Sequence, residues 1–317
     1  MTNDVSFEKA VESARKIKAN VSGVIKGKDD VIDLFLSSFF SGGHVLIEDV
    51  PGTGKTSLAK ALAKTVRADF SRVQFTPDLL PADITGMSIF NKKENSFEFR
   101  KGPVFTDIFL ADEINRASPR TQSALLEAME EHQVTIEGRR YPLEGLFFVI
   151  ATQNNAELRG TFELPESQMD RFNMSLNMGY VTEDEEVDIL KTHGYYSAIN
   201  DVKPVSSAED VSNIRKVVKN ITVTDEIKYY IVRIINELRN RDEVKYGASP
   251  RASIALMRTS QAVAFLEGRD FVVPDYVQNI AVPVLAHRLL VKGAHGNYDI
   301  HSVPLIEDII SSLPVPA

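Results

Sequence analysis

The sequence predicts an α/β fold in which a mainly parallel five-stranded sheet is covered by helices and is followed by an all-α domain. Two observations predict it. In the first half of the chain, apolar segments of strand length alternate with segments of helical periodicity, which is typical of a parallel sheet between helices. After about residue 182 only helical patterns follow. We therefore predict an αβα domain over residues 1–193 and a helical domain over residues 194–317.

Five segments are predicted as strands of the sheet. The third and the fourth are apolar throughout, as expected for strands that are buried on both faces. The fifth has the weakest pattern. The five segments are 45–47, 70–75, 105–113, 146–152 and 173–179. Two hairpins are predicted outside this sheet, one inserted near residues 88–99 and a smaller one at 133–143 that turns at Gly138.

Capping residues and prolines mark the helices. Residues 57–66 form the predicted helix after the first strand, and the later helices begin at polar N-caps or at proline in the first turn. The predicted capping boxes are Thr182 with Glu185 and Ser206 with Glu209, and the predicted helices after them are 225–241, 250–267 and one that begins at Pro274. The polar segment 194–207 is predicted as a linker.

Composition excludes several classes of protein. The 317 residues contain no cysteine, which excludes disulfides and thiolate metal sites, and no apolar run reaches the length of a membrane span. The first residues lack the pattern of a signal peptide, so we expect a cytoplasmic protein. A net charge of −8 argues against broad adhesion to nucleic acid.

A glycine-rich loop joins the first predicted strand to the next helix, with the sequence Glu48-Asp49-Val50-Pro51-Gly52-Thr53-Gly54-Lys55-Thr56. Backbone N–H groups of such a loop bind phosphate oxygens, the lysine reaches the β- and γ-phosphates, and the hydroxyl binds Mg²⁺. The strict pattern has glycine at position 49, where this chain has an aspartate, a residue that tolerates turns. The loop predicts a nucleoside triphosphate with Mg²⁺ as its ligand.

Two carboxylates, Asp112 and Glu113, follow the third predicted strand. At the carboxyl end of a strand beside the phosphate loop, Asp112 can hold Mg²⁺ through a water, and Glu113 can polarise the water that attacks the γ-phosphate. The alternative is an acidic pair at the start of a solvated helix. The glycine loop and the apolar strand together favour the catalytic interpretation.

Three further polar residues are candidates for the same site. Asn154 follows the fourth strand, where it can orient the attacking water or serve as a turn residue. Arg171 can pair with the adjacent Asp170 or reach the γ-phosphate of a neighbouring subunit. Arg251 lies in the first turn of a helix, where the dipole disfavours a cation, and this placement favours a role such as phosphate binding.

Together these motifs resemble the AAA+ ATPases, which are P-loop NTPases, and specifically the MoxR family. The resemblance covers nearly the whole chain, and its other characteristic segments are 74–83, 111–116, 125–131 and 164–172. It implies an ATP-hydrolysing αβα domain and a helical lid that work as a homo-oligomeric ring, usually a hexamer, with ATP or ADP between subunits.

The resemblance also implies roles for individual residues. Lys55 is implied as the Walker A lysine, Thr56 and Asp112 as the Mg²⁺ residues, and Glu113 as the catalytic Walker B carboxylate. Asn154 is implied as the sensor-1 residue, Arg171 as an arginine finger given to a neighbour, and Arg251 as the sensor-2 arginine through which the lid senses the γ-phosphate. The implied nucleotide contacts are Asp49, Val50, Pro51, Gly52, Thr53, Gly54, Lys55, Thr56 and Ser57, with Ile25 and Gly27 near the adenine.

The biological role is implied only in general terms. Members of this family use ATP to remodel or mature a partner protein or to insert a metal into it, often with a partner that carries a von Willebrand factor A domain. The hairpin near residues 88–99 is similar to an insert of the family, and this similarity implies a site for partner contact. The alternatives are an ATP-dependent scaffold that hydrolyses little and a nucleic-acid-associated ATPase, which the net charge disfavours.

Overall fold

The computed structural model of the chain describes residues 6–154, 160–191, 199–292 and 298–316. The predicted division between residues 193 and 194 lies outside these ranges and stays a prediction. The helices are α1 (Phe7–Val24), α2 (Asp29–Ser41), α3 (Lys55–Thr65), α4 (Pro81–Thr85), α5 (Pro119–Glu131), α6 (Glu166–Met169), α7 (Glu183–Lys191), α8 (Ala208–Lys219), α9 (Asp225–Asn240), α10 (Pro250–Leu266), α11 (Pro274–Leu285) and α12 (Tyr298–Ser312). The strands are β1 (Val45–Glu48), β2 (Phe70–Gln74), β3 (Gly86–Asn91), β4 (Ser96–Lys101), β5 (Ile108–Asp112), β6 (Gln133–Ile136), β7 (Arg139–Pro142), β8 (Phe148–Gln153), β9 (Met174–Leu176), β10 (Val244–Tyr246) and β11 (Leu290–Val291).

The central sheet confirms the predicted architecture. Its five strands lie in the order β2-β5-β8-β1-β9, and every neighbouring pair is parallel. The five strands lie at the five predicted segments, and the fifth, β9, is the shortest. Because all five run in the same direction, the residues that follow β1, β5 and β8 emerge at one edge of the sheet.

Both faces of the sheet are covered by helices. Alternate residues of β5 and β8 belong to different hydrophobic clusters, because successive side chains of a strand point to opposite faces. Leu110 and Ile150 pack in the larger cluster with α1, α2 and α3, whereas Phe109 and Val149 pack in the smaller one with α5. This burial on both sides explains the continuous apolar pattern of these strands.

The C-terminal helices share the larger hydrophobic cluster with the N-terminal ones. Helix α10 packs against both α2 and α11, and Phe265 of α10 meets the ring of Phe40 edge to face at 6.0 Å between centroids. The amphipathic α9 buries Ile227, Ile231 and Ile234 in the same cluster, as the helical period predicts. The helical lid therefore packs directly on the N-terminal helices.

Several local predictions are refined. The inserted hairpin is formed by β3 and β4, and the smaller one by β6 and β7. The lid also contains a short antiparallel ribbon of β10 and β11, which the prediction of an all-α domain did not include. The predicted capping box at Thr182 is present, but the one at Ser206 is wrong by one residue, because Ser207 caps α8 together with Asp210.

Candidate active site

The residues after β1, β5 and β8 meet in one cleft of about 380 Å³ at the edge of the sheet. This position follows from the strand order, since β8 lies between β1 and β5. The cleft brings most of the predicted site residues together. Its lining consists of Pro51, Gly52, Gly54, Lys55, Thr56, Ser57, Arg72, Gln74, Asp112, Glu113, Thr152, Gln153 and Asn154.

The glycine loop has a backbone that leaves N–H groups facing the cleft. Gly52 and Gly54 have φ values of +90° and +94°, in the left-handed region where only glycine is unstrained. Gly54 is the N-cap of α3 and has no side chain with which to cap the first turn of this helix. The free N–H groups and the positive end of the helix dipole suit the oxygens of a phosphate chain.

Lys55 lies at the first position of α3 and points back into the loop. Its Nζ donates hydrogen bonds to the carbonyl oxygens of Asp49, at 3.0 Å, and Val50, at 2.7 Å. Burial lowers the pKa of Lys55, and the nearby carboxylates of Asp49, Asp112 and Glu113 oppose that shift. The ammonium group is therefore held by weak neutral acceptors that phosphate oxygens can replace.

The side chain of Asp49 accepts two hydrogen bonds that a glycine at this position could not accept. Its Oδ1 accepts a hydrogen bond from the backbone N–H of Val50 at 2.7 Å, and its Oδ2 accepts one from that of Gly179 at 2.9 Å. The positive φ values of the loop fall at Gly52 and Gly54 and not at Asp49. The carboxylate thus ties the phosphate loop to the segment that follows β9.

Asp112 and Glu113 end β5 with a specific set of hydrogen bonds. Oδ1 of Asp112 accepts a bond from the Thr152 hydroxyl at 2.6 Å, and the same hydroxyl accepts one from the backbone N–H of Glu113 at 2.8 Å. Glu113 itself has a φ of +55°, which is uncommon for a residue with a side chain. Such local strain occurs often at functional sites, where the surrounding structure holds it in place.

Arg72 and Gln74 were missed by the sequence predictions. Both side chains come from β2, the neighbour of β5. Arg72 pairs with Oδ2 of Asp112 through Nη2 at 2.7 Å, and Gln74 donates to Oε2 of Glu113 at 2.7 Å. Their spacing of two residues places them on one face of β2, but this signal becomes informative only when β2 is known to lie beside β5.

Arg116 and Asn154 complete the group around Glu113. Arg116 forms an ion pair with Oε2 of Glu113 at 2.8 Å. Asn154 is buried directly after β8 and lines the cleft, and its contact with the attacking water stays a prediction. Its neighbour Asn155 lies outside the described residues.

The donor set fits a nucleoside triphosphate with Mg²⁺. Free N–H groups and Lys55 suit the phosphates, and the oxygen donors of Thr56 and Asp112 are the ligand type that Mg²⁺ prefers. Ile25 and Gly27 lie outside the lining of the cleft. Ile25 is buried, and Gly27, with a φ of +67°, packs so closely on Glu185 of α7 that a side chain there would collide with its carboxylate.

Arg171 and Arg251 lie away from this cleft, beside a second cavity of about 310 Å³. Arg171 does not pair with Asp170, which was one of its two possible roles. It pairs instead with Glu130 of α5, at 3.1 Å between Nε and Oε2, and Arg251 binds the other oxygen of the same carboxylate. Asp170 pairs with Arg288 and accepts a hydrogen bond from Ser249.

Comparison with known proteins agrees with this architecture. Residues 44–174 match the ATPase family associated with various cellular activities (AAA), and residues 236–304 match the AAA lid domain. The chain is 39% identical to the chaperone MoxR1 of Mycobacterium tuberculosis over 85% of this chain and 74% of that protein. It is 30% identical to the protein MoxR of Paracoccus denitrificans over 96% of both chains.

The chain belongs to the MoxR family of AAA+ ATPases. The uncharacterized protein YeaC of Bacillus subtilis strain 168 is 47% identical over 95% of this chain and 94% of its own length. A crystal structure of a protein from Cytophaga hutchinsonii ATCC 33406 is 36% identical, covers 98% of this chain and 97% of its own, and superposes with a TM-score of 0.88. In the described part of this MoxR-family protein, no helix has the length and hydropathy of a membrane span.

Proposed function

We propose that this MoxR-family protein binds ATP with Mg²⁺ and hydrolyses it. The observation that carries the proposal is the position of Glu113 in the phosphate cleft, where its carboxylate and backbone are held by Gln74, Arg116 and Thr152. A carboxylate fixed at the end of a strand beside a phosphate loop is suited to orient a water for attack on the γ-phosphate.

Each residue of the cleft has a role in this proposal. The N–H groups at the start of α3 and Lys55 bind the phosphates, and Thr56 and Asp112 hold Mg²⁺. When bound, Mg²⁺ supplies positive charge that neutralises the phosphate oxygens. Glu113 accepts a proton from the attacking water, and Asn154 orients that water.

The two arginines act, in this proposal, on the nucleotide of a neighbouring subunit. Neither lines the cleft of its own subunit, and both lie together at a second surface that α5, α10 and the segment after α6 form. A ring of subunits, expected to be a hexamer, brings this surface against the next cleft. Arg171 and Arg251 then supply positive charge to the transferring phosphate.

We further propose a chaperone-like role in the cytoplasm, in which hydrolysis drives the remodelling, maturation or metal loading of a partner protein. A relative at 39% identity is named as a chaperone. The hairpin of β3 and β4 offers a contact surface for such a partner, because the rings of Phe90 and Phe97 lie 5.3 Å apart and are 45% and 69% exposed. Partners with a von Willebrand factor A domain are the first candidates.

Phosphate release with Mg²⁺ and ATP tests the enzymatic proposal. Glu113→Gln keeps the size of the side chain but removes the base, so turnover is expected to fall about 100-fold or more while ATP binding persists. Lys55→Ala is expected to abolish binding, and Glu144→Gln, an exposed charge change outside the site, serves as the control. Wild-type turnover no higher than that of Glu113→Gln would refute hydrolysis.

An ATP-dependent scaffold with little hydrolysis is the second candidate. It is favoured by one observation, the engagement of Oε2 of Glu113 by both Arg116 and Gln74, because an oxygen that already accepts two hydrogen bonds is less available to the attacking water. The scaffold hypothesis predicts tight ATP binding and ring closure with turnover that Glu113→Gln does not change. Measuring affinity and turnover on one preparation separates the two candidates.

A further inference from the structure

Glu130 is the one acidic side chain, among the described residues, that pairs with both Arg171 and Arg251. Its two oxygens divide between them, because Oε2 lies 3.1 Å from Nε of Arg171 and Oε1 binds Nη2 of Arg251. Arg171 follows α6 in the αβα domain, whereas Arg251 belongs to α10 of the lid. A single carboxylate therefore joins the two arginines across the junction between lid and sheet.

The position of both partners is unfavourable within their own helices. Glu130 lies in the last turn of α5, where the negative end of the helix dipole disfavours a carboxylate, and Arg251 lies in the first turn of α10, where the positive end disfavours a cation. Each charge offsets the unfavourable placement of the other. Two charges that are each unfavourable in their own helix, and that compensate each other only in the tertiary structure, point to a function of this pair.

Glu130 approaches Arg171 from the Nε side of the guanidinium. Oε2 of Glu130 lies 3.1 Å from Nε, an ion-pair distance at which Nε forms no hydrogen bond within the described ranges. This attraction draws the guanidinium towards Glu130, and Nη1 and Nη2 are the nitrogens that can bind a phosphate in the bidentate manner. The side chains of Arg171 and Glu130 are about one-quarter to one-third exposed, so they remain accessible from the cavity.

A second contact fixes the start of α10 beside Arg171. The hydroxyl of Ser249, the N-cap of α10, donates a hydrogen bond to Oδ2 of Asp170 at 2.8 Å and accepts one from the backbone N–H of Arg251 at 3.0 Å. The buried Arg288 pairs with the other oxygen of Asp170 at 3.3 Å. These contacts keep the backbone of Arg251 in place, so Glu130 has to orient only its side chain.

We propose that Glu130 is a positioning residue that presents Arg171 and Arg251 as one anion-binding pair to the nucleotide of a neighbouring subunit. The inference rests on the proposed function of the two arginines. Because one arginine belongs to the lid and the other to the αβα domain, the same carboxylate couples the lid position of one subunit to hydrolysis in the next.

The test uses Glu130→Gln, with Glu131→Gln as a matched control that makes the same change at the next, exposed residue of α5. Glu130→Gln is expected to lower kcat about tenfold or more, because a small misplacement of a catalytic group is costly, while the affinity for ATP stays within about twofold. Glu131→Gln is expected to keep wild-type turnover. In an Arg171→Ala background, adding Glu130→Gln is expected to cause a smaller further loss than in the wild type, because only the positioning of Arg251 is then affected.

Mixed rings separate a role towards the neighbour from damage within the subunit. A Glu130→Gln subunit has an intact cleft, and a Lys55→Ala subunit has an intact arginine surface but no nucleotide. Mixing them is expected to restore turnover, and the same mixture with Arg171→Ala tests the proposed function itself. Should Glu130→Gln lower the thermal unfolding temperature, Glu130→Asp, which keeps the charge, replaces it in the same mixtures.

Rescue of Arg171→Ala without rescue of the Glu130 variant would overturn the positioning role while leaving the arginine finger intact. Turnover of Glu130→Gln equal to or above that of the wild type would overturn it as well. If Arg171→Ala is itself fully active, the proposed function of the arginines fails independently of Glu130.

Discussion

Restoring the strict glycine at position 49 is expected to weaken nucleotide binding, although it makes the loop agree with the general motif. Asp49→Gly removes the acceptor of the backbone N–H of Val50 and one of the two acceptors of the backbone N–H of Gly179, which also donates to Oδ1 of Asn177 at 2.8 Å. Asp49 is only 8% exposed, so water does not fully replace the lost carboxylate as the acceptor for the N–H of Val50. Glycine also adds backbone freedom to a loop that must be ordered to bind phosphate.

The magnitude follows mainly from the hydrogen bond of Val50, because the N–H of Gly179 keeps Asn177 as an acceptor. A buried donor left without a charged acceptor costs about 1.5–3 kcal/mol, and relaxation of the loop recovers part of that. A net loss of about 1–2 kcal/mol corresponds to roughly 5- to 30-fold weaker ATP binding. Asp49→Asn keeps one acceptor oxygen and is expected to lose about threefold.

Electrostatics predicts the opposite sign, which makes the experiment decisive. A carboxylate near the phosphates repels them, so its removal alone would tighten binding. Titration of a fluorescent ATP analogue into wild type, Asp49→Asn and Asp49→Gly, with thermal unfolding as a check on folding, measures which effect is larger. If Asp49→Gly binds ATP as tightly as the wild type or more tightly, the hydrogen bonds of Asp49 to Val50 and Gly179 do not control the loop.

Two further predictions concern charge. Arg72→Met is expected to cut phosphate release about tenfold or more, because Asp112 loses a charged partner in the cleft. The free energy of unfolding is expected to change by less than about 1 kcal/mol, because the side chain of Arg72 is 45% exposed. Arg120→Met is the control, and unchanged turnover of Arg72→Met would contradict this role. Burial lowers the pKa of His44 and of His287 to about 3, so both stay neutral in the folded protein while the unfolded chain takes up protons below its ordinary pKa of about 6.5. The free energy of unfolding is therefore expected to fall as the pH drops through the window between about 6.5 and 3, by about 2–4 kcal/mol for the pair at pH 5. The free energy of unfolding, measured with denaturant at pH 7.5 and 5.0, checks this. The difference between the two pH values should fall by about half in His287→Asn and stay unchanged in His301→Gln, where the histidine is exposed. An equal difference in the wild type and both variants would refute the assignment.

The strands and the phosphate loop could be predicted because their signals are local. A strand buried on both faces is apolar throughout, as in β5 and β8, and a loop that needs positive φ shows glycine at the position concerned, as at Gly52 and Gly54. The capping box at Thr182 is equally local, and the error of one residue at Ser207 arose because two serines precede the same helix.

The partners of the site residues could not be predicted. Arg72 and Asp112 are 40 residues apart, Asp49 and Gly179 are 130 apart, and Glu130 and Arg251 are 121 apart. Each pair depends on which strands are neighbours or on how the lid packs. A local sequence pattern contains neither the strand order nor the packing of the lid. The partner of Arg171 could not be predicted for the same reason. Arg171 pairs with Glu130 and not with the adjacent Asp170, because Asp170 binds Arg288 and Ser249.

By itself the sequence determined the fold class, the order of the motifs and the positions of the glycine loop and of the two carboxylates at the end of β5. Local backbone preference and the burial pattern of single elements are sufficient for these. Only the tertiary structure decided that Asp49 ties the loop to the segment after β9, that Arg72 lies on Asp112, and that Glu130 joins two arginines outside the cleft. The reason is physical: hydrogen bonds and ion pairs depend on distance in space, and the strand order and the packing of the lid set that distance.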